Sequence, residues 1–101
     1  MDQAPLEFHP EAIAEARSAR EWYAERNEQA AERFIAELDE AIESIRNAPH
    51  QWPAFLFGTR SVILRKFPYI VVYEQIDQTV HVVAVAHAKR QPGYWSDRLK
   101  D

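Results

Sequence analysis

The chain contains no cysteine, so neither a disulfide framework nor a thiolate metal site can stabilise it. It also lacks any apolar run approaching the ~20 residues that a membrane-spanning helix needs. Its opening, MDQAPLEFHPEA, has no basic n-region and no apolar h-region, which speaks against secretion. A cytoplasmic protein without a membrane partner is expected. There is no internal repeat, low-complexity tract or linker, and His9, His50, His81 and His87 show no local metal-ligand spacing. No metal or cofactor is expected.

Positive charge is scarce in one half. Residues 1–50 hold twelve acids and five arginines, a balance of −7. Residues 51–101 hold four acids and seven lysines or arginines, a balance of +3, and the two sum to the net −4. Such a division suggests two surfaces with different partners, or more simply solvated acidic helices beside a sheet. What the chain does have is apolar content. With 47% hydrophobic and 12% aromatic residues it can bury one small core, as a single domain over residues 1–101.

The apolar pattern changes period along the chain. Residues 5–9 (PLEFH) alternate like a short strand, and Pro10 suits the first turn of a helix. Ile13, Ala16, Arg20 and Tyr23 fall at helical spacing, which predicts a helix over 11–26. Asn27-Glu28 reads as a cap and an acidic first turn. From there Ala31, Phe34, Ile35, Leu38, Ala41, Ile42 and Ile45 trace an unbroken stripe until Pro49 and Pro53. A short break between two helices implies an antiparallel hairpin.

After Pro53, residues 59–67, 69–76 and 79–87 are rich in Val, Ile and Tyr, with a tight connection at Asp77-Gln78. The expected fold is α+β: a short N-terminal strand, then a helical hairpin packed on one face of a mainly antiparallel sheet, then a short C-terminal tail. The last two strands are apolar on both sides, so two helices cannot cover them fully. Because the tail is short, a partner protein is expected over the second face, with Val71, Tyr73, Val83 and Val85 as the candidate surface.

Cations gather late in the chain. Arg60 and Lys66 should project from one strand face and Arg65 from the other; with Lys89 and Arg90 they form the candidate set for phosphate or target binding. As lone strand cations they read more simply as solvated edge residues. His87, Arg90 and Tyr94 could together run acid–base cleavage of a phosphodiester, with the arginine stabilising developing charge. The simpler reading gives His87 a strand-end hydrogen bond and Pro92-Gly93 a turn, with Tyr94 and Trp95 packing back on the sheet.

The hairpin followed by RSVILRKFPYIVVYEQIDQTVHVVAVAHAKRQPGYW resembles the RelE/ParE superfamily of type II toxin–antitoxin toxins, over nearly the whole chain. The resemblance implies a cognate antitoxin laid over the toxin. RelE-like members cut messenger RNA in the ribosome with clustered basic residues, and His87, Arg90 and Tyr94 would be catalytic in that branch. ParE-like, plasmid-stabilisation members poison DNA gyrase without hydrolytic residues. A pI near 5.5 is ill matched to ribosomal phosphate, and the Phe67-Pro68-Tyr69 strand and the Pro-Gly-Tyr-Trp ending look closer to the ParE side. The resemblance therefore implies a growth-inhibiting toxin with gyrase as partner, the ribosome and its message being the alternative. A third possibility is a non-toxic module that retains antitoxin binding.

Overall fold

A computed structural model describes residues 3–100. The elements are β1 (Leu6–Phe8), α1 (Pro10–Arg26), α2 (Glu28–Asn47), β2 (Arg60–Ile63), β3 (Tyr69–Ile76) and β4 (Thr79–His87). The fold is α+β, with a four-stranded sheet in the order β1-β4-β3-β2. β1 runs parallel to β4, and the other pairs are antiparallel. Among the described residues, no helix is long and apolar enough to cross a membrane.

Local chemistry sets the helix ends. The His9 side chain accepts from the Glu11 N–H ahead of Pro10, and Asn27 Oδ1 accepts from Gln29 and Ala30 at 2.9 and 3.3 Å. One residue thus ends α1 and caps α2, as its position between the two helices predicts. The α2 stripe is buried as expected, Phe34 and Ile45 completely. In α1 the buried positions are Ala12 and Ala19, with Ala16 and Tyr23 packed against the core. Ile13, expected inside, is 43% exposed. Small alanines let α1 lie close to the sheet, and the larger Ile13 falls outside that narrow contact.

The strand expected over 59–67 stops at Ile63. Glu37 of α2 accepts the backbone N–H groups of Arg65 and Lys66, so this stretch turns toward the helix instead of extending the ladder. Arg65 and Lys66 therefore do not project from opposite strand faces.

A second departure lies in β4. Tyr73 pairs with Val82 but Val72 with Ala84, so Val83 is an extra residue in the ladder, a β-bulge. Beyond it the alternation inverts. Val80, Val82 and Val85 join Val71 and Tyr73 against the helices. Val83, Ala84 and Ala86 join Val72 on the other face, where Trp95 covers them.

This overturns the expected partner surface. Val71, Tyr73 and Val85 are at most 1% exposed in the helix-side core, and Val83 is sealed under the tail. The tail covers the second face itself. Trp95 is 1% exposed, with Phe55, Ile70, Tyr94 and Leu99 around it. A buried indole covers more area than any aliphatic side chain, which helps so short a segment suffice. The expectation that Tyr94 and Trp95 pack back on the sheet holds.

Candidate functional site

β1 is only three residues long, so it pairs with β4 at residues 80–82 and leaves the rest of that edge uncovered. The uncovered edge meets side chains. Glu15 of α1 accepts from the Val85 N–H at 3.0 Å, and Arg98 donates to the Val83 carbonyl at 3.0 Å. The bulge carbonyl is thus taken up by a guanidinium rather than by a strand. Glu15 and Arg98 also pair with each other at 3.0 Å, largely shielded from solvent. The Tyr94 hydroxyl donates to the same carboxylate at 2.6 Å. This latch ties helix, strand edge and tail together.

Beside the latch runs an open groove of ≈ 610 Å³. One wall is the α1 face Glu11, Ala14, Glu15, Ser18 and Trp22; the other is Tyr69, His87, Arg90 and Tyr94. Trp22 is half exposed, with the Arg26 guanidinium 3.7 Å over its ring. Ala14 and Ser18 are small, so a bound segment could lie close to the helix backbone.

Three of the residues singled out from sequence meet here. His87 Nδ1 accepts from the Lys89 N–H at 3.0 Å, and its ring stands edge-on to Tyr69. Arg90 lies 3.9 Å over the Tyr94 ring. Burial, reinforced by the hydrogen bond and charge of Glu15, raises the Tyr94 hydroxyl well above the ordinary tyrosine value. Tyr94 therefore holds its proton and is a poor acid, its hydroxyl hydrogen being engaged by Glu15.

The remaining cations lie elsewhere. Arg60 donates to the Trp52 carbonyl at 2.6 Å beside Tyr73. Arg65 pairs with Glu40 at 3.3 Å in an exposed contact. Lys66 sits in the same Glu37-bound loop, and Lys89 is exposed in the turn after β4. Of the candidate phosphate set only Arg90 lines the groove, in company with Glu11 and Glu15. Neither Glu15 nor Arg98 belongs to the candidate site sets read from sequence, although Arg98 is one of the cations gathered late in the chain. Their partners are 70 residues or more away from Glu15 in the chain, and such pairs leave no periodic trace.

The family model described as ParE toxin of type II toxin-antitoxin system, parDE, matches residues 6–92. The chain belongs to this family. No curated protein matches it significantly. Among solved structures, one described as the chromosomal ParDE TA system from P. aeruginosa is similar, with a TM-score of 0.75 and 12% identity. That similarity covers 86% of this chain and 98% of the other. The E. coli toxin RelE, a double-arginine mutant in the free state, has a TM-score of 0.62 at 22% identity, covering 87% and 86%. At these identities the two structures speak to fold alone. Within the ParE family fold, the groove and latch are what this particular sequence builds at the β4 edge.

Proposed function

We propose that the protein is the growth-arresting toxin of a type II toxin–antitoxin pair, acting on DNA gyrase rather than cutting messenger RNA. The observation that carries the choice is the make-up of the groove. A phosphodiester nuclease needs converging cations and an available acid or base. Here Glu11 and Glu15 face the same space as Arg90, and Tyr94 is engaged by Glu15. Glu15 and Arg98 neutralise each other and Glu11 offsets Arg90, so the groove has no net positive charge to hold a phosphate chain, and Arg60 and Arg65 are bonded elsewhere.

The groove is better suited to a protein segment. Trp22 offers an aromatic anchor, and Ala14 and Ser18 leave room for close approach. The cognate antitoxin is the proposed occupant, in place of the buried surface expected from sequence.

The test is to add purified protein separately to gyrase with relaxed plasmid and to ribosomes translating a defined message. Inhibited supercoiling or trapped cleaved DNA, with the message intact, is expected. Codon-positioned cuts with supercoiling untouched would transfer the protein to the RelE-like mechanism, with His87 and Arg90 as the groove residues to test first. Trp22→Ala should weaken antitoxin binding at least tenfold, consistent with loss of an aromatic anchor.

A further inference from the structure

The tail is a wall of the groove as well as a cover for the sheet. Tyr94 and Arg98 line the groove, and both are held there by Glu15 of the facing helix. The Tyr94 ring in turn carries Arg90 at 3.9 Å, with the Arg98 guanidinium 5.2 Å from the same ring. Other residues seat the tail from outside the groove. Trp95 is buried against Val72, Val83, Ala84 and Ala86, with the rings of Phe55 and the exposed Phe57 at 6.0 and 6.1 Å. Further along, the Lys100 N–H donates to Glu74 at 2.9 Å. Neither Trp95 nor Glu74 lines the groove. The family match ends at residue 92, so the tail from Gly93 onward lies beyond it.

We infer that the tail is a strap that closes the groove around its occupant. Docking of the tail and binding in the groove strengthen each other, and Trp95 is the positioning residue that couples them. If the tail lifts, the groove loses Tyr94 and Arg98, Arg90 loses the ring it lies on, and Glu15 keeps its charge without a cation. A bound segment meets a complete wall only when the tail is docked, so it stabilises the docked state. By linkage, whatever weakens docking also weakens binding. The tail suits this role because a few contacts fasten it, and it opens at lower cost than the strands beneath. The opposite coupling, in which an occupant displaces the tail, would bare Val72, Val83, Ala84 and Ala86 to water and leave Glu15 unpaired. The inference rests on the antitoxin as occupant of the groove and adds how the affinity of that site is set.

The test uses the toxin alone and in complex with its co-expressed cognate antitoxin. Hydrogen exchange in residues 93–100 should slow about fivefold or more in the complex. Trp95→Leu touches nothing in the groove and should weaken antitoxin binding about tenfold, whereas Trp95→Phe keeps an aromatic seat and should restore most of it. Glu74→Ala removes only the acceptor for the Lys100 N–H and serves as a second variant should Trp95→Leu fail to fold. It should weaken binding by a smaller factor while the urea midpoint changes little. Trp22→Ala, inside the groove, keeps two failures apart. If it leaves antitoxin binding intact, the groove is not the antitoxin's site and the strap falls with that reading. If it weakens binding while the folded tail variants bind as the wild type does, the strap alone is overturned. Unchanged exchange of residues 93–100 in the complex would overturn it as well, and so would faster exchange, which would show the tail displaced.

Discussion

The two faces of the sheet are sealed by different physics. On the helix side, α2 and α1 bury Phe34, Ile45, Val71, Tyr73, Val80 and Val82 in one continuous apolar layer. Tyr23, Phe34, Phe67 and Tyr69 add edge-to-face aromatic contacts with centroids 5.0–6.5 Å apart, and Tyr23 and Phe34 meet in a tilted contact at 5.5 Å. On the tail side, a small cluster around Trp95 is held down by polar fasteners. Glu15 grips Tyr94 and Arg98, Glu74 accepts from the Lys100 N–H, and Glu7 meets His81 and Lys100 at 3.1 and 3.5 Å. Apolar burial scales with area and tolerates small shifts, whereas a polar fastener fails when one partner is lost. The helix side should therefore set global stability and the tail side local opening.

The largest effect should come from Phe34→Ala. Removing a fully buried aromatic ring from a core of this size costs about 3–5 kcal/mol, a large share of the stability of a small domain. Urea unfolding should show a lower midpoint with an unchanged slope. If the loss were under about 1 kcal/mol, the two faces would not differ as described.

Next comes Arg98→Met, which leaves Glu15 shielded without its cation and costs about 3 kcal/mol if the tail stays in place. The cheaper response is for the tail to lift, so the measured loss should be smaller and confined. Hydrogen exchange should quicken in residues 93–100 and at Val85 while Val71 and Val72 keep their protection. Uniform loss across β3 would show that tail and core unfold as one unit.

This contrast also explains what could be read in advance. β3 and β4 have the bounds their composition implies, and the α2 stripe and the Asn27 cap are where local rules put them, because each is encoded within a few residues. The bulge at Val83 leaves no mark in Val82-Val83-Ala84-Val85, where any register is equally apolar; that is why the candidate partner surface fell inside the core. The face of α1 was offset because alanines carry the contact while Ile13 and Trp22 point outward. In the candidate site, His87, Arg90 and Tyr94 were legible as neighbours in sequence. Glu15 was one of twelve acids in its half until the fold brought it to the tail.

Alkaline pH tests the helix side at a single group. Burial pushes the Tyr73 hydroxyl up to about 12 from 10.0, with Arg60 nearby offsetting part of the rise. The folded state thus favours the neutral phenol, which donates to the Pro49 carbonyl at 2.7 Å. Its contribution is fully present below pH 10 and is lost as pH climbs toward 12. Because a tenfold change in proton affinity is worth about 1.4 kcal/mol, roughly 2 kcal/mol should disappear over that window. Tyr23 and Tyr69 are also raised by burial and add to the slope. Tyr73→Phe should flatten the decline; an equally steep curve in that variant would place the alkaline sensitivity elsewhere.

The smallest effect sharpens the tail side, by comparing the chain's two glycines. Gly58 and Gly93 both have positive φ, 79° and 85°. An alanine at Gly58 would meet nothing within 4 Å, so only the backbone conformation penalises it. At Gly93 the same penalty applies, and the new methyl would also come within 3.0 Å of the Phe57 ring and 3.7 Å of Leu56. Gly58→Ala should therefore cost about 1 kcal/mol. Gly93→Ala should cost more, unless the exposed Phe57 ring swings aside. The two responses separate cleanly: a rigid Phe57 ring gives Gly93→Ala the lower Tm, whereas a ring that yields makes the two variants equal and alters the Trp95 fluorescence as its aromatic neighbour moves. Equal Tm values with unchanged fluorescence would mean that Phe57 does not rest on Gly93 in solution.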